Sequence, residues 1–170
     1  MDIASSAIEL AKANFTQQGL KGEFQVASGE ALPFPNESFD LVYAHGVVQY
    51  TALPQRLVDE CRRVLEPGGE AILQVYNRMS WLNALSKLMK VGLEHEDAPV
   101  LAKYSISEFR SLLSGFREVR IVPERFPVKS RLHGGWKGTL YNGVFVRSFN
   151  ALPRSLVRRF GWHLLAFCRK

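Results

Sequence analysis

Apolar and polar positions follow two rhythms along the chain. Ile8, Ala11 and Phe15 recur at helical spacing, which predicts a helix in DIASSAIELAKANFTQQG. Ser6 and Glu9 have the spacing of a capping box, in which each side chain answers the other's backbone donor, and Gly19 supplies a stop. GEFQVAS reads as a short strand running into the loop GEALPFPNES. FDLVYAHGVV is almost wholly apolar, the pattern of a central parallel strand covered on both faces. Leu57, Val58, Cys61, Val64 and Leu65 mark the inward face of a helix over residues 53–65, which EPGG ends. EAILQVYN is then a second buried strand.

Beyond it, RMSWLNALSKLMKV (residues 78–91) reads as an apolar-rich helix. Residues 107–113 form another, capped by Ser105 or Ser107. FREVRIVPE and GWHLLAFCRK are strands, and ALPRSLVRRF between them is an amphipathic helix. Strands alternating with helices predict an α/β layered fold with right-handed crossovers. No repeat, low-complexity tract or linker divides the chain, and 170 residues suit a single domain over 1–170.

Composition changes this picture little. No apolar run approaches the roughly 20 residues of a membrane span, and no leader pattern opens the chain, so a cytoplasmic location is expected. Cys61 and Cys168 lie far apart without metal-ligand spacing, so reduced thiols and no metal are expected.

Charge is more informative. Up to Asp97 there are 8 Lys/Arg against 13 Asp/Glu, and from Ala98 onward 14 against 3, with Glu124 the last acid. Such polarity is either a solvated basic face or an attraction to a phosphate-bearing substrate, a membrane surface or nucleic acid. Leu152, Leu156 and Phe160 share a helical face among Arg154, Arg158 and Arg159. That face suits either a lid over a pocket or a peripheral membrane contact.

Three segments carry a family resemblance: MDIASSAIELAKANF, ASGEALPFPNESFDLVYAHGVVQY and LVDECRRVLEPGGEAILQV. In LPFP-x-x-SFDLV followed by RVLEPGG the chain resembles the class I, Rossmann-like S-adenosylmethionine-dependent methyltransferases, of the small-molecule type that includes quinone and sterol methyltransferases. YSISEFRSLL, GFREVRI and GWHLLAF continue the resemblance more weakly. It implies a mostly parallel sheet in the order 3-2-1-4-5-7-6 with an antiparallel C-terminal strand. It also implies S-adenosyl-L-methionine as cofactor and methyl transfer to a small or lipid-like acceptor, with no nucleic-acid partner. Residues 1–77 would form the cofactor-binding half, and residues 78–170 the substrate or lid region with the last strands.

The resemblance also assigns site residues. Asp2 stands where a carboxylate at a strand end accepts from both hydroxyls of a ribose. Ser28, Gly29 and Glu30 stand where the family holds adenine. Ser28 replaces a frequent Asp, and Glu30 either substitutes for it or meets solvent or a helix end. His45 and Gly46 end the apolar strand at its carboxyl edge, where the methionine part of the cofactor would pass. His45 would contact the cofactor, act as a general base or merely hold a position. Gln49 and Tyr50 are acceptor-side neighbours. No obligatory catalytic side chain is implied, because the sulfonium already activates the methyl group.

One family element does not occur in the sequence. A strand and glycine-rich loop should precede Asp2 by about twenty residues, and no G-x-G-x-x-G is found. This points to an N-terminally truncated chain lacking the first strand and glycine loop, with two consequences. Its alternative role is a catalytically inactive fragment or binding module. Its GEFQVAS strand should pair directly beside FDLVYAHGVV, to cover an edge that is costly to leave bare.

Overall fold

The buried apolar positions of EAILQVYN build the spine of the fold, strand β2 (Leu65–Asn77), in which Leu65, Ala71, Leu73 and Val75 are wholly inaccessible to solvent. The computed structural model describes residues 1–89, 98–129 and 135–170. β1 (Phe39–Ala44) lies parallel to β2, with Val42 opposite Ala71 and Ala44 opposite Leu73. On the other edge β5 (His163–Arg169) runs antiparallel, with Tyr76 opposite His163. β4 (Glu118–Glu124) lies antiparallel beyond it, and β3 (Lys103–Tyr104) pairs parallel with the last two residues of β2. The order β1-β2-β5-β4 matches the 4-5-7-6 part of the expected sheet, including its antiparallel last strand.

One face of this sheet carries the core. Ala71, Leu73, Leu164, Ala166 and Cys168 meet α2 (Pro54–Val64) and α4 (Ile106–Leu112) through Leu57, Val58, Cys61, Phe109 and Leu113. Pro54 opens α2, where a missing N–H costs nothing. Ser105 caps α4 in a complete capping box with Glu108. Cys61 and Cys168 are free thiols within this core, and burial pushes both up to about 12, out of reach of thiolate chemistry.

Four expectations are corrected. Helix α1 (Ser5–Gln17) starts from Ala4, so Ser6 and Glu9 fall inside its first turns and form no capping box; the Ala4 N–H donates to Asp2 Oδ1 at 2.8 Å instead. GEFQVAS is reduced to one parallel bridge, Val26 with Asp2, and does not pair beside β1. Two of its backbone groups pair with Asp2, whose N–H donates to Gln25 O at 3.3 Å and whose carbonyl accepts from the Ala27 N–H at 3.0 Å. β1 is therefore an edge strand among the described residues. Its second face is not covered as a central strand's would be, and Tyr43 there is 64% exposed. Lastly, the amphipathic helix over residues 151–160 is interrupted. Leu152 is extended, as a residue before proline prefers, so α7 is only Arg154–Val157, followed by a 3₁₀ turn at Arg158–Phe160.

The remaining segments gather at the carboxyl ends of β1 and β2. The helix expected over residues 78–91 is α3 (Trp81–Met89); residues 90–91 lie outside the described residues. Helix α5 (Gly135–Leu140), a π turn (Tyr141–Phe145) and α6 (Val146–Ala151) follow one another without a break. Tyr141, Phe145 and Phe149 on this run put their rings 5.8–6.5 Å from Trp81. Among the described residues, no helix is long and apolar enough to cross a membrane.

Candidate functional site

Strand β1 gives out at Ala44, and His45 and Gly46 turn the chain away from the sheet. Gly46 has φ 73°, a left-handed conformation that glycine adopts without steric cost. Its N–H donates to Gln74 Oε1 on β2 at 2.9 Å, which fixes the turn against the centre of the sheet. The chain then enters a 3₁₀ turn at Val48–Tyr50. Ligands of open α/β sheets bind at such carboxyl strand ends.

Aromatic side chains from three elements converge there. His45 lies 5.7 Å from His163 at the start of β5. Tyr76 near the end of β2 stacks on Trp162 at 4.5 Å and lies 5.5 Å from His163. The hydroxyls of Tyr50 and Tyr76 are 3.1 Å apart. Burial, then the positive charge of Arg125, then His45 push the His163 imidazole down to about 4, so it is neutral at pH 7.

Beneath the β1 exit, polar atoms are left over. Gln49 and Gln74 are 0% and 1% exposed, yet both amide atoms of Gln49 and Nε2 of Gln74 have no hydrogen-bond partner among the described residues. Each such group costs roughly 1–3 kcal/mol if nothing ever satisfies it. Buried polar groups in native folds are nearly always paired, so these three atoms beside the Gly46 turn stand apart from the rest of the described core.

Next to this cluster, a cleft of 910 Å³ is lined by Arg78, Asn83, Lys103, Tyr104 and Glu108, among others. Arg78 directly follows β2 and pairs with Glu108 at 2.9 Å. Lys103 donates to Asn83 Oδ1 at 3.0 Å and lies 5.7 Å from the Trp162 ring, which joins the cleft to the aromatic cluster.

The residues expected from the sequence fall into two groups. His45 and Gly46 form the β1 exit itself. Asp2 is tied to Val26, two residues before Ser28, and its exposed carboxylate accepts the Ala4 N–H at the start of α1. Ser28 Oγ accepts from the Glu30 N–H at 3.2 Å. Gly29 packs against α2, where a Cβ would come within 2.9 Å of Leu57 Cδ1. Glu30 accepts from the Thr51 hydroxyl and from the Leu53 N–H at the start of α2, so its carboxylate is engaged by a helix end. Through Thr51 it links the Ser28–Glu30 turn to the 3₁₀ turn that follows the β1 exit. Sequence reasoning missed Gln74, Tyr76, Arg125, Trp162 and His163. A glutamine inside the otherwise apolar EAILQVYN was a readable signal for the first.

Comparison with known proteins agrees with this geometry. Residues 1–73 match the methyltransferase-domain family. An uncharacterized protein of Methanocaldococcus jannaschii is 30% identical over 96 residues, 56% of this chain and 46% of that protein. A ubiquinone biosynthesis O-methyltransferase of Roseobacter denitrificans is 34% identical over 95 residues, 55% of this chain and 37% of that protein. The chain thus spans less than half the length of these relatives. In structure, a Thermotoga maritima S-adenosylmethionine-dependent methyltransferase, described as a possible histamine N-methyltransferase, superposes with a TM-score of 0.67 at 20% identity, over 99% of this chain and 70% of that one. Residues 1–73 therefore match a methyltransferase-domain family, and the chain has the fold of the class I S-adenosylmethionine-dependent methyltransferases.

Proposed function

We propose that this chain serves methyl transfer from S-adenosylmethionine to a small or lipid-like acceptor, as the quinone and sterol methyltransferases do. The observation that carries the proposal is the buried Gln49 amide and the buried Gln74 Nε2, which have no hydrogen-bond partner among the described residues beside the Gly46 turn. They offer donors and an acceptor where the amino-acid part of the cofactor would lie. The other donor and acceptor groups also suit it. Asp2 presents an exposed carboxylate for ribose hydroxyls, and the Ser28–Gly29 turn presents backbone to adenine. Glu30 shapes that turn through Thr51, while His45 and Gly46 border the reacting end.

When bound, S-adenosylmethionine supplies a methyl group already activated by its sulfonium. What remains for the protein is alignment of the acceptor and exclusion of water. Half-buried Tyr76 and Tyr50, with the buried Trp162 stacked behind Tyr76, give an aromatic surface against which a flat or apolar acceptor packs. Neutral His163 adds no charge of its own behind that surface, so an apolar acceptor meets no imidazolium there. Lys103 in the lining of the cleft favours an acceptor with an anionic or strongly polar end.

Calorimetric titration of the chain with S-adenosylhomocysteine tests this reading. Micromolar binding, weakened by Asp2→Ala, is expected; absence of binding by folded protein overturns it. A second reading is an inactive methyltransferase-like binding module, favoured by the uncovered edge of β1 among the described residues. It is distinguished by cofactor binding without methyl transfer to any acceptor in a screen of quinols, phenols and lipids.

A further inference from the structure

The helical run Gly135–Ala151 has two apolar stripes where a surface helix needs one. The inner stripe, Tyr141, Phe145 and Phe149, is turned to Trp81. The outer one, Trp136, Leu140 and Val144, recurs every four residues and is 73%, 48% and 57% exposed. Further along the chain Leu152 and Leu156 are again about half exposed, between Arg147, Arg154, Arg158 and Arg159, which are all exposed. The whole sequence from Arg125 to Lys170 holds 10 Lys/Arg and not one Asp or Glu.

We infer that this segment is a docking surface for an anionic lipid bilayer. An exposed stripe of Trp, Leu and Val within a purely basic segment combines the two attractions that hold interfacial helices: apolar burial at the acyl boundary, and Coulomb attraction to acidic headgroups. Trp is also the side chain that settles best at the headgroup level. A second copy of the chain is the poorer occupant, because it would bring the same uniformly positive segment against itself. The inference is independent of the methyl-transfer reading, since it uses neither the cofactor residues nor the cleft.

The test is co-sedimentation of the full chain with vesicles of phosphatidylcholine alone and of phosphatidylcholine mixed with phosphatidylglycerol. Tryptophan emission is recorded in parallel. Binding is expected only to the mixed vesicles, weakened by salt, with a blue shift arising from exposed Trp136. Replacing Arg154, Arg158 and Arg159 together by Gln should weaken it on the order of a hundredfold, as the loss of three headgroup-attracted charges implies. Trp136→Ala with Val144→Ser should weaken it at least about tenfold and abolish the shift. All five positions are exposed, and circular dichroism verifies that the fold is kept.

Failure to bind the mixed vesicles at low salt overturns the inference, as does binding that the Trp136/Val144 variant leaves intact. Light scattering covers the remaining occupant: an oligomer in the parent chain that dissociates in the Trp136/Val144 variant assigns the stripe to a protein interface and overturns the membrane assignment.

Discussion

Nη1 of Arg125 lies 3.4 Å from Nε2 of His163, so a cation faces an imidazole that stays neutral. Arg125 is held at φ 58°, a left-handed conformation that costs a non-glycine residue about 1 kcal/mol or more. Its carbonyl is fixed there by the Trp162 N–H at 3.2 Å and by Trp81 Nε1 at 2.8 Å.

The ionisation of His163 follows from this pairing. Burial is the larger cause of its depressed pKa and Arg125 the next. In a pH titration followed by NMR, the His163 ring should remain neutral down to about pH 4. Arg125→Gln should raise the midpoint while leaving it below the ordinary value of 6.5, because burial is unchanged. The unfolded chain binds the proton first, so stability falls as pH drops from 6.5 toward 4, by roughly 3 kcal/mol across the window. A titration near 6.5 in the folded protein would refute the arrangement.

Gln49 separates stability from function. Its amide is wholly buried and has no partner among the described residues, so an apolar side chain of similar shape removes an unsatisfied group. Gln49→Met should leave the urea midpoint unchanged or raise it, by up to about 2 kcal/mol. The same substitution should weaken S-adenosylhomocysteine about tenfold if the amide serves the ligand. A loss of stability instead would show that the amide is satisfied within the folded chain by ordered water.

What the sequence made legible and what it hid divide along a physical line. The α2 face Leu57, Val58, Cys61 and Val64 and the strands β2, β4 and β5 were readable because burial imposes a period on local sequence. The His45 and Gly46 turn was readable as the end of an apolar strand. His163, Trp162 and Arg125 were not, because their place beside Tyr76 is set by the antiparallel register of β5 on β2, a long-range pairing without local trace. Residues 22–28 misled for the opposite reason: a strand-like pattern records a preference for extended backbone, whereas pairing depends on which partner is in reach.

The loop after Ser28 is held by the Arg63–Glu60 pair. Arg63 donates to Leu32 O at 3.0 Å, Phe34 O at 2.8 Å and Asn36 Oδ1 at 2.9 Å, and grips both carboxylate oxygens of Glu60. Glu60 in turn accepts from the Leu32 N–H at 2.7 Å. Arg63→Lys should free residues 32–36 to proteolysis and amide exchange, because an ammonium does not reproduce the planar fork. Arg63 also holds the Glu60 carboxyl below the usual carboxylate range. The contribution of the pair is therefore complete at neutral pH and is lost as pH falls through that lowered pKa. Amide exchange of the loop should accelerate in acid in the parent chain, and should already be fast at neutral pH in Arg63→Lys.

Gly161 links stability to the site most directly. A Cβ on it would stand 2.5 Å from Glu124 O and 2.7 Å from Glu124 N, backbone atoms of the neighbouring strand end that have no freedom to withdraw. The Gly161 carbonyl also accepts from Asn77 Nδ2 at 2.8 Å, as does that of Arg159. The approach to β5 is thereby clamped to the end of β2, immediately before Trp162 and His163. Gly161→Ala should cost about 3 kcal/mol by overpacking, seen as a lower urea midpoint. Asn77→Ala should cost a similar amount, because it strands two carbonyls and the Met79 N–H that Asn77 Oδ1 accepts at 3.0 Å. The two effects should be less than additive, since both substitutions release the same segment. Full additivity would mean that the contact with Glu124 and the contact with Asn77 hold separate parts of the fold, and Trp162 would then keep its stacking on Tyr76 in either single variant.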